Sequence, residues 1–413
     1  MRILISAGEA SGEMYGAQLI EALLRAAEKT PAELGSAGQP GAAVPTNANP
    51  PWRSNQLSFF GAGGDRMRAA GCDTVVDAKD LAVVGITEIL SHLPKILGLY
   101  QRLIREADRR KPDLAIVIDS PAFNWRVARQ MKRRGIPTIY YVAPQFWAWR
   151  QGRVKLLREY IAKALVIFPF EEKFYRDRGV DAAFVGHPLA DLSRPAICRE
   201  EYARNFNLDP GKQWITLMPG SRRKEVRMNL PTILESAMQL GTDYEYLLPV
   251  APTLDRDFLL GMISPAKVTL VPEALPTLFH SRAGIIASGT ATVEAAMMNT
   301  PFVMVYRVSP LTYLLGKPRV KVSRFAMVNL IADQEIVPEL VQQDFTADKV
   351  VHFMRQILAD GDARTRMLEG LGRVKRLLRG DESGNAAGQH PADRAAEIIL
   401  TFGRVSASNP AQH

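Results

Sequence analysis

Residues 4–25, "LISAGEASGEMYGAQLIEALLR", set a short apolar run against a turn holding Gly8, Glu9, Ser11 and Gly12, then a stretch with helical spacing. Strand, glycine turn and helix together open a nucleotide-binding βα unit. The glycines are Gly8, Gly12 and Gly16. That spacing departs from the G-x-G-x-x-G fingerprint and argues against NAD. Outward from this unit the same alternation recurs. "LSFFGAGG", "LAIVIDS", "TIYYVAP", "ALVIFPF" and "AAFVGHP" follow in the first half, and "WITLMPGS", "YEYLLPV", "KVTLVP", "AGIIAS" and "PFVMVYR" in the second. These runs are continuously apolar, as strands buried on both faces are. Helical patterns separate them, so the chain reads as α/β with two Rossmann-like doubly wound domains. The series restarts near "VGHPLADLSRP", residues 185–195. This gives domains at 1–187 and 188–375 and a flexible tail with a terminal helix at 376–413. Residues 35–56, rich in Gly, Pro, Ala and Asn, read as an insertion.

A chain of 413 residues exceeds one ordinary core. Its net charge of +9 favours anionic partners: nucleic acid, phosphorylated substrates or an acidic membrane face. No zinc-finger spacing, RNP-like motif or basic heptad region occurs, which removes the nucleic-acid signatures. Cys72 and Cys198 stand too far apart in sequence for a metal motif or disulfide framework, and a reducing cytoplasm suits them. The opening apolar run is too short for a signal peptide, and no stretch is long enough to span a bilayer.

In open α/β sheets ligands bind beyond the carboxyl ends of the strands. "IVIDSPAFN" delivers Asp119 there, either as a general base or as a helix-capping acid. "LMPGSRRKE" delivers a Gly220–Ser221 turn with Arg222, Arg223 and Lys224, either a phosphate site or a solvated basic turn. "IIASGTATVEAAM" puts Ser288, Gly289, Thr290, Ala291 and Thr292 at a strand-to-helix turn, where free amides and small residues suit a diphosphate. Glu294 follows in the first turns, placed to accept from ribose hydroxyls. The competing reading is an N-capped core helix. "YYVAPQFWAWR" joins Gln145, Trp147, Trp149 and Arg150, suited to sugar or acyl surfaces or to plain packing. Residues 85–111 carry an apolar stripe (Ile86, Ile89, Leu90, Leu93, Ile96, Leu97) beside Lys95, Arg102, Arg105 and Arg109. Pattern alone favours core, and the nearby cations allow an interfacial helix. His187 reads as structural.

Taken in order, "AGEASGEMYGA", "DSPAFN", "YYVAPQFWAWR", "FPFEEKFY", "FVGHPL", "LMPGSR", "ASGTATVEAA" and "NLIADQEIVPEL" resemble the motifs of the lipid-A-disaccharide synthases over roughly residues 1–375. The resemblance implies GT-B architecture, two Rossmann-like domains facing a cleft. It implies transfer of 2,3-diacylglucosamine from UDP to the 6-hydroxyl of 2,3-diacylglucosamine 1-phosphate (lipid X), giving a β-1,6 disaccharide 1-phosphate and UDP. No cofactor or metal is expected. The protein would be cytoplasmic, lying peripherally on the anionic inner membrane, and a homodimer falls within the family's range. By motif, Asp119 is the base, and Asn329 matches a residue needed for activity. Glu9, Ser11 and Gly12 form the acceptor loop, Arg222 with the Ser288–Thr292 turn and Glu294 binds UDP, and Ile86 to Leu97 docks the membrane. Ala122 stands where the family's motif usually has a second acid. The rival readings are a UDP-N-acetylglucosamine 2-epimerase or hydrolase, which needs no docking helix, and a non-catalytic peripheral membrane protein, which leaves Asp119 without a role.

Overall fold

The computed structural model describes residues 1–8, 10–28, 57–81, 86–148, 150–264, 266–309, 324–380 and 389–408. Glu9, Trp149 and the insertion at 35–56 lie outside them, as do the side chains of Ile86, Ile89, Leu90 and Leu93. The chain divides into two compact units, Met1–Pro188 with Ser383–His413, and Leu189–Glu382.

The first unit holds a seven-stranded sheet of β1 (Arg2–Ala7), β2 (Ser58–Gly63), β3 (Cys72–Asp77), β4 (Leu114–Ile118), β5 (Thr138–Tyr141), β6 (Lys163–Val166) and β7 (Ala182–Phe184). Their order is β3-β2-β1-β4-β5-β6-β7, and each pairing is parallel. The second unit holds β8 (Gln213–Met218), β9 (Tyr244–Pro249), β10 (Val268–Val271), β11 (Ala283–Ala287), β12 (Phe302–Tyr306) and β13 (Glu339–Val341). Their order is β10-β9-β8-β11-β12-β13, again all parallel.

These are the two doubly wound Rossmann-like sheets expected from the apolar runs. All eleven runs are strands. The two strands the runs omit, β3 and β13, are sheet edges. Polar residues interrupt β3, "CDTVVD", and β13 is three residues long, so neither carries a continuous apolar run. Winding reverses between β1 and β4 in the first sheet and between β8 and β11 in the second. Ligands of open α/β sheets bind at such reversals.

Every residue of β4, "LAIVI", is buried, as helices on both faces require. Helix Pro121–Arg133 follows it with Pro at its first position, where the missing N–H is no loss. That helix buries Phe123, Val127, Ala128 and Met131 at three- and four-residue spacing. Trp125 on the same helix stacks on Phe146 with ring centroids 6.2 Å apart. The C-terminal residues form helix Pro391–Ser408, which packs against helix Ala10–Glu28 and joins Asp393 to Arg25 at 2.8 Å.

Helix Ile86–Arg110 carries the proposed docking stripe. Ile96 packs against the core of the first unit, whereas Leu97 is 54% exposed. Several cations beside it are paired with acids: Lys95 with Asp80 at 2.6 Å, Arg109 and Arg110 with Glu106, and Arg110 also with Asp73. Among the described residues no helix is long and apolar enough to cross a membrane.

Candidate active site

The first reversal brings the opening motif and "DSPAFN" together. Ala7 pairs with Ile118, so the turn after β1 and the turn after β4 are neighbours. Asp119 and Ser120 are consecutive non-glycine residues in the left-handed region, at φ 48° and 44°. That conformation costs roughly 1–2 kcal/mol per residue. The surroundings over-determine it. The Asp119 amide donates to Tyr141 O at 3.3 Å, and its carbonyl accepts from Tyr140 Oη at 2.7 Å and Asn124 Nδ2 at 2.8 Å. Backbone strain of this kind persists where a side chain must be aimed.

Asn124 is the fixing point, and it drew no role in the sequence. Its Nδ2 also donates to Ile118 O at 2.9 Å, and its Oδ1 accepts from Ser6 Oγ at 2.7 Å. One buried carboxamide thus ties the end of β1 to the end of β4. A Cβ added at Gly8 would stand 2.6 Å from Ser120 Oγ, so only glycine lets these two turns approach. Ser11, in the first turn of helix Ala10–Glu28, donates to Asp119 Oδ2 at 3.4 Å. Gly12 flanks the same carboxylate: a Cβ there would lie 3.8 Å from that of Asp119.

Burial pushes the Asp119 carboxyl above the usual aspartate range, and hydrogen bonds from the Ser120 amide and the Ser11 hydroxyl only partly oppose it. A half-buried carboxylate of raised pKa at a sheet reversal has the properties of a general base. Ala122 makes no second acid beside it.

Nearby, the aromatic motifs resolve into packing. Trp147 is buried and donates from Nε1 to Glu171 Oε1 at 2.7 Å. Glu171 is wholly buried, and its Oε2 accepts from the amides of Ile167 and Phe168. Burial drives its carboxyl up to about 7 against those bonds. His187 is also buried, which holds its imidazole down at about 4. It stays neutral at physiological pH, in keeping with a structural role.

The second reversal gathers the other candidates. Asn229 acts there as Asn124 does in the first unit. Its Nδ2 donates to Pro219 O at 2.9 Å and its Oδ1 accepts from Arg307 N at 2.9 Å, tying the end of β8 to the end of β12. The expected free amides of the "PGSR" turn are partly taken: Ser221 N donates to Glu225 Oε2 at 3.1 Å. Arg222 extends into solvent, its side chain 82% exposed and 3.6 Å from Glu225.

At the "SGTAT" turn, Gly289 sits at φ 140°, a backbone reserved for glycine, and helix Thr290–Met297 begins immediately after it. Two of the hydroxyls hold the turn: Ser288 Oγ donates to Phe325 O at 2.8 Å, and Thr292 Oγ1 donates to Gly289 O at 2.8 Å. Among the described residues the amides of Thr290 and Ala291 have no partner, and neither has the Glu294 carboxylate, which burial raises. Unpaired amides at a helix N-terminus with an unpaired carboxylate below them can take a phosphate and a hydroxyl together.

Asn329 is saturated. Its Oδ1 accepts from Ile336 N at 2.7 Å and Val337 N at 2.9 Å, and its Nδ2 donates to Val337 O and Glu339 Oε1, both at 2.8 Å. No hydrogen-bonding capacity of its amide is left for a substrate. Among the described residues no group of three His, Cys, Asp or Glu could hold a metal ion.

The model of the Lipid-A-disaccharide synthetase family matches residues 3–369. The chain belongs to that family. A lipid-A-disaccharide synthase of Koribacter versatilis (strain Ellin345) is 50% identical over 405 residues, covering 97% of this chain and 98% of that one. The protein is thus a glycosyltransferase of lipid A disaccharide synthesis. Among solved structures, the glycotransferase of kitacinnamycin shares the fold at a TM-score of 0.60 and 15% identity, over 97% of this chain and 98% of that one. The UDP-GlcNAc 2-epimerase of Neisseria meningitidis, solved with UDP-GlcNAc, does so at 0.59 and 12%, over 97% and 99%. At such identities the likeness speaks for the GT-B fold alone, and family membership separates this chain from the epimerases.

Proposed function

We propose that the protein transfers a 2,3-diacylglucosamine unit from UDP-2,3-diacylglucosamine to the 6-hydroxyl of 2,3-diacylglucosamine 1-phosphate, releasing UDP and the β-1,6-linked disaccharide 1-phosphate. The observation that carries this reading is Asp119: a half-buried carboxylate of raised pKa on a strained turn, with Ser11 of the opening loop beside it.

In this mechanism Asp119 takes the proton of the acceptor hydroxyl as its oxygen attacks the anomeric carbon. The C–O bond to the diphosphate breaks on the opposite face, and the electron pair leaves with UDP. One base suffices for such an inversion, so Ala122 in place of an acid leaves the chemistry intact. Gly12 and Ser11 line the acceptor side, and Glu9 belongs to the same loop by sequence. The amides of Thr290 and Ala291, with Arg222, neutralise charge growing on the leaving diphosphate. Glu294 accepts from the ribose hydroxyls. Of the stripe from Ile86 to Leu97, Ile96 packs inward and the rest, with Leu97 exposed, rests on the anionic cytoplasmic face of the inner membrane.

Incubation with UDP-diacylglucosamine and lipid X should give disaccharide and UDP in equal amounts. UDP without disaccharide would identify a hydrolase, and an epimerised donor an epimerase; either result replaces this proposal.

A further inference from the structure

Asn329 and the "SGTAT" turn are joined by a chain of hydrogen bonds that passes through Glu339, the first residue of β13. Glu339 Oε1 accepts from Asn329 Nδ2 at 2.8 Å and from Ala326 N at 2.9 Å. Its Oε2 accepts from Phe325 N at 2.8 Å. The carbonyl of that same Phe325 accepts from Ser288 Oγ at 2.8 Å. The main chain at Phe325 is therefore gripped from both sides, by a carboxylate at its N–H and by the turn's own serine at its C=O.

From this geometry we infer that Glu339 is a positioning residue for the donor site, and that Asn329 acts through it rather than by touching substrate. The inference deepens the proposed UDP-sugar site and rests on that reading for its ligand. Asn329 has a buried amide with all four bonding directions satisfied inside the fold, so its contribution must be relayed. Among the described residues the charged group it meets is Glu339. From the Glu339 carboxylate the path to the turn's serine hydroxyl runs through the Phe325 peptide. Ser288 stands at the end of that path and directly precedes Gly289, whose φ of 140° sets the direction of the free amides of Thr290 and Ala291. Fixed dipoles serve a diphosphate only when they are already aimed at it, and fixing that aim is what the relay supplies.

The donor pattern makes the test sharp. Among the described residues every group bonded to the Glu339 carboxylate is a donor, so a glutamine there sets its own N–H₂ against donors in either orientation. Asn329 cannot turn to compensate, because its Oδ1 already holds two amides. In the full-length protein with UDP as probe, Glu339→Gln and Ser288→Ala should each weaken UDP binding about tenfold to a hundredfold, the range expected when a buried donor or acceptor loses its partner. The KM for donor should rise with it, and the KM for acceptor should stay unchanged. The double variant should bind UDP no more weakly than Glu339→Gln alone, because both changes cut one path. Without any ligand, hydrogen exchange across residues 288–292 should be faster in both variants. That readout does not depend on UDP being the ligand, so a wild-type protein that ignores UDP sinks the proposed function and leaves the relay to be judged by exchange. Wild-type exchange together with wild-type UDP affinity in Glu339→Gln overturns the relay, as do fully additive losses in the double variant. If Glu339→Gln fails to fold, the same result in Ser288→Ala, which removes one hydroxyl at a half-buried position, overturns it instead.

Discussion

Replacing Asp119 by asparagine should separate catalysis from folding. Asn tolerates the left-handed backbone at φ 48°, whereas Ala there would add strain of about 1–2 kcal/mol. The asparagine oxygen can still accept from Ser11 Oγ, and the peptide keeps its bonds to Tyr140, Tyr141 and Asn124. What disappears is the basic oxygen. A positioned general base contributes roughly 10²–10⁴-fold, or about 3–5 kcal/mol of barrier, so initial rates of UDP release should fall by that factor. Stability should move the other way. Because burial raises the folded pKa of Asp119, its stabilising share is whole only below the ordinary aspartate pKa of about 4 and is lost as pH rises through the folded value. Near pH 8 the wild type bears the burial of a charge that Asp119→Asn lacks, so the variant's Tm should be the higher one, with the gap closing toward about pH 4. For the same reason the acid limb of kcat/KM in the wild type should lie above the ordinary aspartate range. Turnover within tenfold of wild type, or a loss of rate matched by a loss of Tm near pH 8, refutes the assignment.

Gly8→Ala should lower both Tm and turnover, since its Cβ meets Ser120 at 2.6 Å and overpacking costs about 1–3 kcal/mol. Adding Ser120→Gly removes the clash and the strain at φ 44°, and should restore Tm; a double variant as unstable as the single one would show that the two turns do not share this contact. On helix Ile86–Arg110, Ile96→Ser should destabilise the fold by about 1–2 kcal/mol in a denaturant titration, and Leu97→Ser by no more than about 0.5 kcal/mol. Leu97→Ser should instead weaken binding to anionic vesicles, and unchanged vesicle binding would remove Leu97 from the docking surface. Glu171, raised to about 7, should make the wild type lose stability as pH climbs toward about 7, because a raised carboxyl contributes fully only below its unfolded pKa. Glu171→Gln should flatten that slope in Tm between the ordinary glutamate pKa of about 4.5 and about 7, and an unaltered slope would mean the group does not titrate there.

What the sequence displays and what it hides divide along one physical line. Burial on both faces writes itself into a strand as an unbroken apolar run, so "LAIVI", "AGIIA" and "FVMVY" are visible without coordinates. Asp119, Gly289 and Thr290 are visible because they stand where such runs stop and chemistry-bearing types begin. Two strands escape because their sequences carry too little of that signal: polar residues break up "CDTVVD", and "ELV" is three residues long. The residues that hold the site escape for a different reason. Asn124 lies 118 positions from Ser6, and Arg307 lies 78 from Asn229. Such partnerships arise from the winding order of the sheet, and a polar residue on a helix gives no local sign of them. The left-handed turn at Asp119–Ser120 is hidden most completely, since neither residue is glycine and its cause is three hydrogen bonds from β5 and the following helix.

One consequence follows for Asn329. The family resemblance alone presents it as a catalytic candidate, whereas Asp119 is also marked by its place at the end of a buried strand. The bonds around them set the two apart: the Asp119 carboxylate is charged at a cost that the Ser120 amide and a long Ser11 hydroxyl contact only partly offset, while the Asn329 amide is content in all four directions. A residue with nothing left to offer a ligand can still be indispensable, because removing it would leave Ile336 N, Val337 N and the Glu339 carboxylate without their partner. Loss of activity on mutation therefore does not distinguish the two. The acid limb of the rate profile does: substitution at Asn329 should leave its position unchanged, whereas Asp119→Asn should abolish it.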